Sequence, residues 1–132
     1  MNLTAVLIDD SRTVRACLKI YLSELGFEIL AEGSRGDHAL ELWEKHRPTL
    51  MTLDIVLPGL DGVTAVTELM RKHPEAVVVM CSSINVGEKV LACRQAGAAH
   101  YLLKPITREN VTAIARSITS RLPQPAPSQK VG

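Results

Sequence analysis

Five short runs rich in Val, Ile and Leu constrain this chain more than any other feature: Leu3 to Ile8, Phe27 to Ala31, Leu50 to Leu53, Ala76 to Cys81 and Tyr101 to Leu103. Longer amphipathic stretches separate them, and that alternation is the signature of repeated strand–helix units around a parallel sheet. The runs read as apolar throughout, as strands covered on both faces should. Val14, Leu18, Tyr21, Leu22 and Leu25 recur at helical spacing, and so do Ala39, Leu42, Trp43 and His46. Val63, Val66, Leu69 and Met70 form a third stripe, Val86, Val90, Cys93 and Ala96 a fourth, and Val111, Ile114, Ala115 and Ile118 a fifth. The reading is one doubly wound α/β domain with a five-stranded parallel sheet and five helices.

The expected helix ends agree with this division. Asp10 or Ser11 can cap the first helix, Asp61 precedes the third, Thr107 with Asn110 opens the fifth, and Gly26 and Gly97 follow the first and fourth. The last eleven residues, 122–132, carry three prolines and no periodicity, so a disordered Pro-rich tail is expected after a folded domain at residues 1–121.

Composition narrows the function classes. With 132 residues the chain is of single-domain length, and such a domain hides on the order of two-thirds of the surface its unfolded chain exposes. Lys and Arg number 15 against 14 Asp and Glu, so no basic stripe steers it to nucleic acid. Phe27, Trp43, Tyr21 and Tyr101 are too few for a base-stacking platform. Cys17, Cys81 and Cys93 form no CxxC pair and read as reduced, buried thiols of a cytosolic protein. No stretch is apolar enough to suggest a signal peptide or a membrane span.

In open parallel sheets, ligands bind at the carboxyl ends of the strands. There the first strand delivers Asp9-Asp10, the third Asp54, the fourth Ser82-Ser83 and the fifth Lys104-Pro105. Each alone has an ordinary explanation: a helix cap for Asp-Asp-Ser, a polar loop for Ser82-Ser83, a solvated charge for Lys104, and turn amides for Asp54 ahead of Pro58-Gly59. Their joint placement on one rim points instead to a site. Clustered carboxylates repel and call for a cation, and hard oxygen ligands suit Mg²⁺ better than zinc. An acidic site holding Mg²⁺ beside a Lys and a Ser hydroxyl is suited to receive a phosphoryl group, with a carboxylate attacking in line.

The chain resembles, over nearly its full length, the receiver domain of two-component response regulators, especially the single-domain chemotaxis type. The resemblance rests on Val6-Leu7-Ile8-Asp9-Asp10-Ser11, on Leu53-Asp54-Ile55-Val56-Leu57-Pro58-Gly59-Leu60-Asp61-Gly62, on Met80-Cys81-Ser82-Ser83, and on Gly97-Ala98-Ala99-His100-Tyr101-Leu102-Leu103-Lys104-Pro105. It implies the flavodoxin-like strand order 2-1-3-4-5. It also implies Asp54 as phosphoacceptor, and Mg²⁺ bound by Asp10, Asp54 and the backbone carbonyl of Val56, with Asp9 acting through water. Lys104, before a cis Lys-Pro bond, would pair with Asp54 and then with the phosphoryl oxygens. Ser82 would donate its hydroxyl, and Tyr101 would swing inward as the switch, although strand-edge packing would also explain a tyrosine there. The implied partners are a sensor histidine kinase and a downstream protein bound by the face of the fourth helix, fifth strand and fifth helix; both a monomer and a phosphorylation-dependent dimer fit.

The sequence departs from the resembled pattern in informative places. Val56 and Ile84 are apolar where chemotaxis members carry polar groups, which predicts slow hydrolysis of the acyl phosphate. Ser82 replaces the commoner Thr and loses its β-branched stiffness. Ser83 replaces a small apolar residue, and Cys81-Ser82-Ser83 also resembles chemotaxis methylesterase receivers. Two alternatives of other kinds stand beside a switch that catalyses only its own phosphorylation and dephosphorylation. A phosphatase or phosphomutase with an aspartyl nucleophile commonly places a second carboxylate where Val56 stands. A nucleotide- or flavin-binding domain would want Gly-x-Gly-x-x-Gly, not Asp9-Asp10, after the first strand. A receiver that is part of a larger regulator, the Pro-rich end being a linker, would carry the same motifs.

Overall fold

A computed structural model describes residues 2–83 and 87–122. In chain order the elements are β1 (Leu3–Ile8), α1 (Arg12–Glu24), β2 (Phe27–Gly33), α2 (His38–His46), β3 (Leu50–Asp54), α3 (Gly62–Lys72), β4 (Val78–Ser82), α4 (Gly87–Ala96), β5 (His100–Leu103) and α5 (Arg108–Thr119). The strands pair in parallel in the order β2-β1-β3-β4-β5. Val86, placed in the fourth helical stripe, Ile84 and the tail beyond Leu122 lie outside the described residues.

Both faces of the sheet are covered because successive strand residues point to opposite sides. Val6, Ile8, Met51, Leu53 and Met80 pack with Trp43, Val66 and Leu69 in one core. Ala5, Leu7, Leu50, Val79 and Cys81 pack with Leu18, Leu22, Val111, Ala115 and Ile118 in the other. This doubly buried arrangement is why β1, β3 and β4 read as continuous apolar runs. β2 departs from that expectation: Glu28 and Glu32 are exposed, because β2 is an edge strand, where charged residues also discourage pairing with another chain.

Two of the three expected caps form: Ser11 Oγ accepts from Val14 N and Thr107 Oγ1 from Asn110 N, each at 3.2 Å. Asp61 occupies the N-cap of α3 without a side-chain hydrogen bond. Cys81 and Cys93 are buried free thiols, as expected, whereas Cys17 is only half-buried. Burial pushes the Cys81 thiol up to about 12 and the Cys93 thiol up to about 11. His73 closes α3, lies 4.5 Å from Trp43 between ring centroids and bonds Glu44 at 2.8 Å, tying α2 to α3. Among the described residues, no helix is long and apolar enough to cross a membrane.

One core position is imperfect. Thr52 on β3 is 2% exposed, and its hydroxyl has no hydrogen-bond partner among the described residues. It borders a cavity of about 10 Å³ otherwise lined by Leu18, Leu22, Leu50, Val79, Leu102, Val111, Ile114 and Ala115. That is barely room for one water, which needs at least two polar partners and finds one here. Thr52→Val keeps the shape, removes the orphaned hydroxyl and should stabilise the fold by about 1 kcal/mol. Thermal unfolding should show a midpoint raised by roughly 3–5 °C; an unchanged or lower midpoint would show that the hydroxyl is satisfied in solution.

Candidate functional site

Strand register brings the site together. Ile8 pairs with Leu53, Leu53 with Met80, Asp54 with Cys81, and Cys81 with Leu102. Asp9 therefore follows β1 at the level where Asp54 ends β3, while Ser82 and Leu103 pair one residue further along. The expected residues of four different strands thus reach one rim of the sheet.

The β1–α1 turn is held by its own side chains. Asp9 N donates to Gly33 O at 3.0 Å, and Ser11 N donates to Asp9 Oδ1 at 2.8 Å. The Arg15 guanidinium donates to the Asp9 carbonyl and, through Nε, to Glu32 Oε1 at 3.0 Å. Sequence reasoning missed Arg15, which reads as a solvated position of α1. Only the fold brings it under Asp9 and beside Glu32 of β2.

After β3, Val56 N donates to Asp54 Oδ1 at 3.2 Å, and Gly62 N donates to Ile55 O at 2.9 Å. A Cβ on Gly62 would lie 2.2 Å from the Asp54 carbonyl, so glycine is required for α3 to start against the end of β3. Val56 is 62% exposed, and its carbonyl accepts no hydrogen bond among the described residues. From the opposite side Lys104 N donates to Ser82 O at 2.8 Å, and the Lys104-Pro105 bond is cis.

Lys104 Nζ lies 3.0 Å from Asp54 Oδ2 and 3.0 Å from Asp9 Oδ2. Asp54 accepts a hydrogen bond from it, and the buried Asp9 Oδ2 forms an ion pair with it. Burial raises the Asp54 pKa, and the Asp9 charge adds to that, against the opposing hydrogen bond from Lys104. Burial pulls Lys104 down, yet hydrogen bonding and the charges of both aspartates outweigh it and hold the ammonium above its ordinary value. Asp9, Asp10 and Asp54 each offer an oxygen, all within 4.8 Å of one another. Two of these side chains are buried and Asp10 is exposed, so the cluster opens to solvent at Asp10. A hard cation with water among its ligands fits this oxygen set, because three carboxylates gather there around one ammonium.

Ser82 is buried at the end of β4. Tyr101 is half-buried on β5, its hydroxyl donating to Ala98 O at 3.1 Å and Val90 O at 3.3 Å, with the Arg94 guanidinium 5.9 Å from its ring centre. It therefore sits behind the rim, between α4 and β5, rather than in the carboxylate cluster.

A family model, "Response regulator receiver domain", matches residues 5–116. The chain belongs to that family. Among its relatives is the chemotaxis protein CheY of Bacillus subtilis, 35% identical over 106 residues, which are 80% of this chain and 88% of that one. A protein-glutamate methylesterase/protein-glutamine glutaminase of Alkalilimnicola ehrlichii is 37% identical over 106 residues, covering 79% of this receiver but 27% of the relative. The CheX-CheY-BeF3-Mg²⁺ complex of Borrelia burgdorferi is structurally similar, with a TM-score of 0.81 at 25% identity, covering 92% of this chain and 90% of that one. This receiver is accordingly CheY-like, with the expected flavodoxin-like order.

The electrostatics of the rim make a prediction. Because the folded-state pKa of Asp54 is raised, its ionisation costs stability: the favourable contribution is complete below the unfolded value of about 3.9 and is lost as pH rises through the folded value. In chelator and without divalent ions, Asp54→Asn should therefore melt higher than the wild type at neutral pH. The gap should close as the pH is taken below about 4. A variant that melts lower at neutral pH would show that the Lys104 pair outweighs the burial of the charge.

Proposed function

We propose that this chain is a cytoplasmic, phosphorylation-activated receiver in which Asp54 accepts a phosphoryl group from a histidine kinase, with Mg²⁺, and a protein-binding face then changes. The observation that carries this reading is the placement of Lys104 Nζ at 3.0 Å from both Asp9 and Asp54 beside a three-carboxylate cluster. Mg²⁺ held by Asp10, Asp54 and the Val56 carbonyl, with Asp9 through water, would neutralise phosphoryl oxygens. The B. burgdorferi relative, whose structure contains BeF3 and Mg²⁺, supports that choice of ion.

In this reading an Asp54 carboxylate oxygen attacks phosphorus in line, the donor's oxygen or nitrogen leaves, and an acyl phosphate remains. Lys104 exchanges its Asp54 partner for a phosphoryl oxygen, and the Ser82 hydroxyl donates to another. The added charge of nearly −2 is read out through Tyr101 and the face of α4, β5 and α5, where Leu91 and Leu103 are more than half exposed. The chain catalyses only its own phosphorylation and dephosphorylation. The methylesterase relative, of whose length this chain covers 27%, favours a second reading in which the same domain is the regulatory part of a longer protein.

Intact mass spectrometry after incubation with Mg²⁺ and acetyl phosphate tests the chemistry. The expected result is a gain of one phosphoryl group, absent in Asp54→Asn and in chelator. No gain by folded, Mg²⁺-binding protein would remove self-catalysed phosphorylation from this reading.

Val56 generates a separate expectation. Its exposed isopropyl group offers no hydrogen bond to water approaching the acyl phosphate, so the phosphoryl group should be long-lived. Val56→Asn should shorten the lifetime by about tenfold, corresponding to about 1.4 kcal/mol in the barrier. Unchanged decay, followed by phosphate release, would mean that this side chain does not control hydrolysis.

A further inference from the structure

An open groove lies among the described residues away from the carboxylate cluster. It lies between α2 and α3, has a volume of about 460 Å³, and is floored by Leu40, Leu60 and Ala65. Leu40 and Leu60 are only partly buried and pack against the core beneath, so the floor offers apolar surface continuous with the interior. The rim is acidic on both sides: Asp37, Glu41 and Glu44 come from the α2 side and Glu68 from α3.

The charge of this rim is only partly answered from within the chain. Asp37 pairs with Arg35 at 3.1 Å, and Glu44 bonds His73 at 2.8 Å, which holds the Glu44 carboxyl below its ordinary value. Glu41 and Glu68 have no hydrogen-bond or ion-pair partner among the described residues. The groove therefore presents two unpaired carboxylates, one from each helix, over an aliphatic floor.

The spacing of these carboxylates decides the kind of ligand. Among the described residues the only group of three acidic, His or Cys side chains with ligand atoms within 4.8 Å of one another is Asp9, Asp10 and Asp54. The groove's acids are too dispersed to surround one metal ion. They match several cations carried on one chain, with an apolar side chain between them to cover Leu40 and Leu60.

We infer that the α2–α3 groove docks a cationic amphipathic segment of another protein, seating one apolar anchor on Leu40, Leu60 and Ala65 and pairing its Lys or Arg side chains with Glu41 and Glu68. The arrangement is that of an amphipathic segment laid in a groove, with charge setting its specificity and rate of arrival. It lies apart from the face of α4, β5 and α5 and does not depend on phosphoryl transfer at Asp54.

A test uses the full chain as bait for random peptides displayed on phage. Enriched sequences are synthesised with a fluorophore and measured by anisotropy against the wild type, Glu41→Lys/Glu68→Lys, the milder Glu41→Gln/Glu68→Gln, and a control, Glu28→Lys/Glu109→Lys, with the same charge change on exposed residues elsewhere. The expected peptides carry Lys or Arg flanking a Leu, Ile or Phe. Their affinity should fall by about tenfold or more in both groove variants, change little in the control, and weaken with added salt. Amide shifts on binding should centre on Gly36, Leu40 and Leu60. Enrichment of peptides without basic residues, equal losses in groove and control variants, or shifts centred elsewhere would overturn the proposal. So would a concentration-dependent dimer in sedimentation that Glu41→Lys/Glu68→Lys abolishes, since the groove would then belong to a second copy of this chain.

Discussion

One ammonium group placed between two carboxylates is the constraint around which the rim of this sheet is organised. Lys104 Nζ is 3.0 Å from an oxygen of Asp9 and from an oxygen of Asp54, and both aspartates are almost wholly buried. Two buried negative charges facing a single positive one leave the rim under-neutralised, which is why burial and the neighbouring aspartate together raise the Asp54 pKa despite the hydrogen bond from Lys104. The surrounding structure resists relaxation of that arrangement. Arg15 and Ser11 hold Asp9, the Val56 amide holds Asp54, and Ser82 O anchors the Lys104 backbone. A site held fixed while short of positive charge suits a ligand that brings its own cation.

Much of this is legible in the sequence, because the signals are local. Apolar runs of three to six residues between helical stripes point to buried parallel strands, and polar residues directly after such runs lie at strand ends. Asp9, Asp10, Asp54, Ser82 and Lys104 therefore fall on one rim whatever the order in which the strands pair. β2 is less legible: Glu28 and Glu32 interrupt its apolar pattern, and its place at the edge of the sheet explains them.

What escaped the sequence depends on contacts between residues far apart in the chain. Arg15 meets Glu32 across 17 positions, and Glu44 meets His73 across 29. Neither pair has a spacing that a helix or strand would repeat. Gly62 stood inside a recognised motif, but its need to be glycine arises from a backbone crossing, with the Asp54 carbonyl where a Cβ would go. The α2–α3 groove is likewise a product of packing. Glu41 and Glu68 each read as a charge on a solvated helix face until the helices are set side by side.

The same packing pattern bears on how a change at Asp54 would travel. α3 starts directly against the end of β3 and buries Gly62, Ala65, Val66 and Leu69, so a shift there would disturb a large part of one core. Among the described residues of α4 only Cys93 is buried, and Leu91 is 52% exposed. Tyr101, three residues before Lys104, donates to a carbonyl of α4 at Val90 and to Ala98 just beyond that helix. If Lys104 follows a new negative charge, the element that can answer at least cost is the one with the least buried surface to lose. α4, with less buried surface than α3, would then yield the more readily of the two.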